Sequence, residues 1–134
     1  MLNTKQIIDI AWKNGFVIPA FNIPYLPMVK PIIEAVKDEN SFALIQVARI
    51  EWKRIESRSP KAVYNEYQKW KDIKHTRIHL DHIPVLDEDN EWVDYPSIIK
   101  EAIDIGYESV MIDGSRLSLE ENIRHTKEIC ELAH

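Results

Sequence analysis

The stretch that decides the fold is Phe42-Ala43-Leu44-Ile45-Gln46-Val47-Ala48, which is apolar at nearly every position. A strand with water on one side alternates apolar and polar residues, so this run predicts a parallel strand covered on both faces. Similar short runs lie at residues 16–21, 76–80 and 109–112, and each of them is also predicted to be a strand.

The segments between these strands have the apolar spacing of helices. Helices are predicted over residues 4–14, over about 27–37, from Ser59-Pro60 onward, from Asp94 to Gly106, and from Ser118 to about Ala133. One strand and one helix recur about every 30 residues, which is the size of a βα unit. We therefore predict an α/β protein with a leading helix and four βα units in a parallel sheet.

Composition narrows the class of protein further. The formal net charge of −5 argues against a nucleic-acid binder, which needs a cationic face. No apolar run approaches the roughly 20 residues that span a bilayer, and the first six residues lack a signal-peptide pattern, so we expect a cytoplasmic protein without membrane contact. The single cysteine, Cys130, lies in an apolar helical pattern and is expected to be buried.

Polar residues follow every predicted strand. In parallel α/β sheets, chemistry gathers just beyond the carboxyl ends of the strands. Asp, Asn, Gly and Ser are also ordinary turn residues, so for the last group alone a plain turn is an equal alternative. The residues at the four ends are Asn22, then Gln46 and Arg49, then Asp81 and His82, then Asp113, Gly114 and Ser115.

The pair Asp81-His82 is the most informative of these. A neutral imidazole is a good zinc ligand, and a nearby carboxylate can move protons. Strict strand alternation sends the two side chains to opposite faces, so they share a site only if the chain leaves β geometry there. Pro84, two residues on, is consistent with such a departure. A strand-capping pair is the alternative, and one histidine supplies one ligand where zinc takes about three.

Three stretches give the sequence a resemblance to the class II, zinc-dependent ketose-bisphosphate aldolases, which include fructose-bisphosphate and tagatose-bisphosphate enzymes. They are Val17-Ile18-Pro19-Ala20-Phe21-Asn22, His79-Leu80-Asp81-His82, and Gly106 to Leu117 running on into Glu120-Glu121-Asn122-Ile123 and Thr126-Lys127. The last block, in register with the second, is far more specific than a lone short motif.

The resemblance implies a (β/α)8 barrel that reversibly cleaves a phosphorylated ketose, with Zn²⁺ as a Lewis acid. It implies that His82 is a zinc ligand, that Asp81 is the catalytic acid/base, and that Asp113 lies beside the metal. It also implies that Asn22 contacts substrate. We expect Ser115, beyond the end of the fourth strand, to bind substrate as well.

This sequence departs from the family pattern in three ways. The remaining zinc histidines and the glycine-rich phosphate loop belong to the second half of the barrel, and His125 and His134 are not taken as replacements. Gln46 to Arg49 stand where the family usually has a hydroxyl-bearing residue, and we hypothesise that Arg49 binds an anionic substrate. The loop with Asp87, Glu88, Asp89, Glu91 and Asp94 is longer and more acidic than usual; a solvated loop is favoured over an active-site lid.

Residues 49–58 interleave bases and acids, and a solvated surface with i,i+3 and i,i+4 pairs is favoured over a phosphate-binding segment. At 134 residues the chain is too short for a whole barrel, which takes about 250 residues. We therefore predict a single partial domain over residues 1–134, the N-terminal half of the barrel.

Four parallel strands leave two unpaired edges, so we expect a homo-oligomer or a second half-barrel as partner. A non-catalytic scaffold subunit is the alternative function. An unrelated metal-dependent barrel hydrolase is less well supported, because no His-x-His pair lies on an early strand.

Overall fold

A computed structural model describes residues 2–133 of the chain. Six α-helices and four β-strands alternate along this range, and a short 3₁₀ turn, Leu26–Met28, leads into the second helix. The helices are α1 (Thr4–Asn14), α2 (Val29–Asp38), α3 (Arg49–Arg54), α4 (Pro60–Trp70), α5 (Tyr95–Ile105) and α6 (Leu119–Ala133). The strands are β1 (Ala20–Asn22), β2 (Ala43–Ala48), β3 (Thr76–Pro84) and β4 (Ser109–Asp113).

The strands form one sheet in the order β1-β2-β3-β4, and all three neighbouring pairs are parallel. This confirms the α/β class and the four βα units that the sequence predicts. Each strand pairs with the next one along the chain, which is the order that lets a sheet curve toward a barrel. In the described residues β1 and β4 each have one strand neighbour.

The hydrophobic core lies between the sheet and the helices on one of its faces. Along β2 the residues Ala43, Ile45 and Val47 are fully buried, whereas Leu44 and Gln46 between them are only partly buried. Helices therefore cover one face of the sheet and the other is open, so the prediction that β2 is covered on both faces is wrong for the described residues. The helical side chains completing the core include Val29, Ile33, Val63, Tyr67, Ile99, Ala102 and Ile129.

Helix α1 lies at the amino ends of the strands, away from the polar strand ends. Thr4 Oγ1 donates a hydrogen bond of 3.0 Å to Glu108 Oε2, just before β4. Arg77 Nη2 donates to the carbonyl of Leu2 at 3.0 Å, and Arg77 Nε pairs with Glu108 Oε2 at 3.0 Å. The leading helix is thus tied to the sheet by partly buried polar contacts.

The helix boundaries agree closely with the sequence signals. Asn3 Oδ1 accepts from Gln6 N at 2.9 Å, and Ser59 Oγ accepts from Ala62 N at 3.0 Å, so both residues are N-caps. Gly15 and Gly106 end α1 and α5 with φ values of 70° and 107°, where glycine is favoured.

One predicted element is corrected. The strand predicted over 16–21 covers only Ala20–Asn22. Pro19 accepts from Leu44 N at 2.9 Å but has no N–H to donate, and Phe16 and Val17 are exposed. Arg49–Arg54 forms a helix, the conformation in which i,i+3 and i,i+4 neighbours face each other, so it does not contradict the expectation of a surface segment.

Cys130 is exposed, so the prediction of burial is wrong. Helix α6 packs against α5 and β4 and buries Ile129 there, while Cys130, the next residue, lies outside this contact. Within residues 2–133 no helix combines the length and the apolar character needed to cross a bilayer.

Candidate active site

A polar cleft lies at the carboxyl ends of the four strands, where the sequence places its candidate residues. Four of the predicted site residues, Asn22, Asp81, His82 and Asp113, meet in it. One residue comes from β1, two from β3 and one from β4, so the sheet itself positions them. The other lining residues are Gln46, Ala48, Ile50, Pro84 and Glu88.

A β-bulge brings Asp81 and His82 to the same cleft. Leu80 pairs with Val110 and Ile83 pairs with Ile112, so β3 contains one more residue than β4 across this interval. His82 occupies the extra length with a φ of 42°, in the left-handed region. The departure from β geometry that the adjacent pair requires is therefore present.

Asp81 is a buried carboxylate held by side-chain amides. It is 6% exposed, and its Oδ2 accepts from Gln46 Nε2 at 2.9 Å and from Asn22 Nδ2 at 3.5 Å. Its Oδ1 lies 3.9 Å from a ring nitrogen of His79 and 3.9 Å from His82 Nε2. One carboxylate oxygen of Asp81 is thus held by two side-chain amides, and the other faces two imidazole rings.

Glu51 accepts hydrogen bonds that hold Asn22 and the end of β2 in place. Its Oε2 accepts from Asn22 Nδ2 at 3.2 Å and from the backbone N–H of Ala48 at 2.7 Å. Gln46 Nε2 in turn donates to Asn22 Oδ1 at 2.8 Å. Glu51 is only 5% exposed, so the solvated surface expected for residues 49–58 does not include it.

His82 and Asp113 form the second pair of the cleft. His82 Nδ1 lies 3.1 Å from Asp113 Oδ2, and this hydrogen bond raises the pKa of His82 above its ordinary value. Burial alone would raise the pKa of Asp113, but hydrogen bonds from Ser115 and His82 outweigh it and leave that pKa lowered. Ser115 contributes its backbone N–H at 2.8 Å; it is exposed and lies outside the cleft lining.

His79 lies one layer deeper on the open face of the sheet. It pairs in register with Gln46 on β2 and with Ser109 on β4, and its Nδ1 lies 2.8 Å from Ser109 Oγ. Burial lowers the pKa of His79, so its neutral form is favoured. A neutral imidazole beneath Asp81 leaves the negative charge of that carboxylate in the cleft.

The structure does not bring Arg49 to the cleft. Its Nη1 pairs with Asp87 Oδ2 at 3.2 Å, and the side chain is 17% exposed. Its Nε is buried and has no hydrogen-bond partner among the described residues. Asp87 is 6% exposed, so the interpretation of the acidic loop as wholly solvated is wrong at this residue. Glu88, the next residue, lines the cleft.

One side chain of the cleft has the arrangement of a metal ligand. Metal-binding histidines usually have their second ring nitrogen held by a carboxylate or a carbonyl, as Asp113 holds His82 Nδ1 here. The Nε2 atom is left to act as the donor. Residues 2–133 contain no group of three His, Cys, Asp or Glu side chains placed to hold a metal ion. The donor set therefore fits one ligand of a zinc site and is incomplete by itself.

His125 is used for packing. Its ring lies edge-on to that of Tyr95 with centroids 5.5 Å apart, and its Nδ1 is 2.7 Å from Tyr95 Oη. His134 lies outside the described residues.

Sequence reasoning missed Glu51 and Glu88. Glu51 lies three residues after Ala48, which ends β2, at the spacing of an N-terminal helix cap, and that spacing could have indicated its role. Glu88 belongs to a charged loop without regular spacing, and no sequence signal separates it from its acidic neighbours.

The fold and the cleft define a class of protein: parallel α/β proteins of the barrel type, with the site at the carboxyl edge of the sheet. The family model for class II fructose-bisphosphate aldolase matches residues 2–134. The chain belongs to the class II fructose-bisphosphate aldolase family.

Individual relatives of this chain are also aldolases. A fructose-bisphosphate aldolase of Treponema pallidum is 31% identical over 139 residues, which cover 100% of this chain and 39% of that protein. A sulfofructosephosphate aldolase of Alkalicoccus urumqiensis is 30% identical, over 98% of this chain and 42% of the relative.

Among solved structures, one of a Coccidioides immitis protein assigned as a fructose-1,6-biphosphate aldolase superposes with a TM-score of 0.71. It is 27% identical and the match covers 98% of this chain and 42% of that one. The chain thus spans about two fifths of the length of the relatives that it matches.

Proposed function

We propose that this chain supplies the acid/base half of a zinc-dependent aldolase that reversibly cleaves a phosphorylated ketose. The observation that supports this most is the β-bulge that places Asp81 and His82 in one cleft. The relatives named above are aldolases of fructose bisphosphate and of sulfofructose phosphate. Aldol cleavage of a sugar phosphate is therefore better supported for this chain than any particular sugar as its substrate.

Asp81 is the proposed acid/base. Cleavage between two carbons of a ketose phosphate requires removal of the proton from the hydroxyl that becomes the aldehyde. Asp81 lines the cleft, and its Oδ2 accepts hydrogen bonds from Gln46 and Asn22. These hydrogen bonds fix the orientation of the carboxylate for proton transfer. In the direction of synthesis, Asp81 returns the proton to the same oxygen.

His82 is the proposed zinc ligand, through the Nε2 atom that Asp113 leaves available. Zinc, when bound, supplies a Lewis acid that polarises the ketone of the substrate. Asp113 orients the imidazole ring, and Asn22 and Ser115 are proposed to contact the substrate. Arg49 is proposed to position the loop beside the cleft, because its guanidinium is paired with Asp87 and it is not a lining residue.

The remaining zinc ligands and the phosphate-binding loop are proposed to come from a second half-barrel. This half lies either on a continuation of the chain or on a partner. Residues 1–134 would then be one partial domain. The unpaired edges of β1 and β4 are where the second half would add its strands. We also propose that the assembled aldolase is cytoplasmic.

The DNA downstream of codon 134 is the first test. A continuing frame with a zinc-type histidine and a glycine-rich loop supports the proposal, and a stop codon with no second-half gene nearby contradicts it. The solution mass of this chain alone is the second test, because a 15.7 kDa monomer that unfolds cooperatively would contradict the need for a partner.

The activity of the assembled aldolase is the decisive test. Asp81→Asn keeps the shape and removes the base, so aldol cleavage should fall by about 10²–10⁴-fold. Asp38→Asn is a matched control, because Asp38 is exposed at the end of α2 and lies outside the cleft lining. Cleavage should also be lost on chelation and restored by zinc. Full activity of Asp81→Asn would exclude Asp81 as the base.

A non-catalytic scaffold subunit is the second candidate. The single imidazole ligand of the described cleft favours it, because one histidine binds zinc weakly. Metal analysis of the purified assembly separates the two functions. An aldolase should contain about one zinc per site and lose it with His82→Ala, whereas a scaffold should contain none.

A further inference from the structure

The loop between β3 and α5 is an ordered hairpin over residues 85–93, which we call the acidic hairpin. Val93 N donates to Val85 O at 3.0 Å, and Leu86 and Trp92 form an antiparallel bridge. Val85 N donates to Asp113 O at 3.0 Å, so the base of the hairpin continues from the sheet.

Asp87 organises the tip of the acidic hairpin. Its Oδ1 accepts from the backbone N–H groups of Asp89 and Glu91, each at 3.0 Å. These hydrogen bonds, with Arg49 nearby, hold the pKa of Asp87 below its ordinary value although burial opposes the shift. The tip is thus fixed by an ionised carboxylate at its centre.

Three arginines from outside the hairpin also hold it. Arg49 Nη1 is 3.2 Å from Asp87 Oδ2, and Arg54 Nη2 is 2.6 Å from Asp89 Oδ2. The third contact runs from Arg116 Nη1 to the side-chain oxygen of Asn90, at 3.1 Å. The guanidinium groups of Arg49, Arg54 and Arg116 are therefore already bound to the hairpin.

Glu88 is the hairpin residue that lines the cleft, together with Asp81, His82 and Asp113. Three of the nine lining residues are carboxylates and none is lysine or arginine. The amide nitrogen of Asn22 already donates to Glu51, and that of Gln46 already donates to Asp81 and to Asn22 Oδ1. A phosphate group placed beside Glu88 would meet carboxylates, and His82 is the one lining side chain that can carry a positive charge.

We propose that Glu88 is a specificity-determining residue that excludes a second anionic group from this wall of the cleft. The substrate class is then a ketose with one phosphate, whose uncharged hydroxyl-bearing end lies against Glu88. This inference rests on the proposed aldolase function and deepens it. The three arginines that contact the hairpin hold Glu88 in place and do not themselves bind the substrate.

The first experiment titrates this chain with inorganic phosphate at low ionic strength and follows the His82 ring signals by NMR. Glu88→Gln keeps size and removes the charge, and it should bind phosphate at the cleft about three- to tenfold more tightly than the wild type, the effect of one nearby charge at a protein surface. Glu91→Gln removes an equal charge from the same hairpin outside the cleft lining and should leave the affinity unchanged.

Equal phosphate affinity in Glu88→Gln and the wild type would overturn the proposal. An equal gain in Glu91→Gln would overturn it as well, because the effect would then come from the general charge of the hairpin.

The second experiment uses the assembled aldolase and compares kcat/KM for a ketose monophosphate and the corresponding bisphosphate. Glu88→Gln should lower the preference for the monophosphate by about three- to tenfold, and Glu91→Gln should not. An unchanged preference overturns the role of Glu88. If neither sugar is cleaved by any variant, the proposed aldolase function fails, and the phosphate titration still decides whether Glu88 excludes anions.

Discussion

Asp81 and His82 are consecutive in the chain, yet both side chains line one cleft, because His82 adopts a left-handed backbone with a φ of 42° at a β-bulge. A non-glycine residue in this region stores conformational strain. The bulge therefore places a proton-transfer group and a metal-ligand candidate side by side at some cost in stability.

This strain can be measured with two substitutions at one position. His82→Ala removes the ring and keeps the strained β-carbon, whereas His82→Gly removes both. We expect the glycine variant to be more stable than the alanine variant by about 0.5–1 kcal/mol, after allowing for the greater freedom of unfolded glycine. Urea unfolding of the metal-free chain measures the difference. An alanine variant at least as stable as the glycine variant would contradict a strained bulge.

The two left-handed helix ends allow a matched comparison of crowding. A β-carbon on Gly106 would lie 2.6 Å from Tyr64 Oη, whereas one on Gly15 would have no neighbour within 4 Å. Gly15→Ala should cost about 1 kcal/mol of unfolding free energy through backbone strain alone. Gly106→Ala should cost about 2–3 kcal/mol, because Tyr64 must also move. Thermal or urea unfolding decides this, and equal costs would show that Tyr64 yields freely.

Glu51 should contribute to stability through the hydrogen bonds it accepts from Ala48 and Asn22. Glu51→Ala leaves a buried backbone N–H without its acceptor, so unfolding free energy should fall by about 1–3 kcal/mol. Glu56→Ala, an exposed acid shortly after the same helix, should change it by less than about 0.5 kcal/mol. A similar small effect of both substitutions would indicate that Glu51 is dispensable for the fold of the site.

The amino-acid sequence predicts the elements that depend on local signals. The apolar run of β2, the cap at Ser59 and the glycines that end α1 and α5 each act within a few residues, and all are confirmed. The length of β1 could not be predicted in this way, because it depends on where its partner strand begins.

In the candidate site, too, some features could be predicted from the sequence and others depend on distant contacts. Asn22, Asp81, His82 and Asp113 could be predicted to meet because parallel strands end at one edge. The hydrogen bond from Ala48 to Glu51 has a local spacing, whereas the contact of Glu51 with Asn22 and the approach of Glu88 depend on residues far apart in the chain, such as Arg49 with Asp87. Those contacts follow from the packed structure and have no local pattern.

The buried imidazole of His79 should make stability depend on pH. Burial lowers its pKa from the ordinary value of 6.5, although Asp81 opposes the shift and His82 reinforces it. The unfolded chain therefore binds the His79 proton more readily than the folded chain does. The contribution of neutral His79 is complete above about pH 6.5 and is lost as the pH falls through the lowered pKa.

His79→Asn cannot be protonated in this range, and its amide can still bond to Ser109. We expect acidification from about pH 7.5 to about 5.5 to reduce the unfolding free energy of the wild type more than that of His79→Asn. Urea unfolding of both proteins at each pH measures the difference, and an NMR titration of the His79 ring should show a midpoint below 6.5. A midpoint above 6.5, or a smaller acid loss in the wild type than in His79→Asn, would mean that the folded protein stabilises the charged ring.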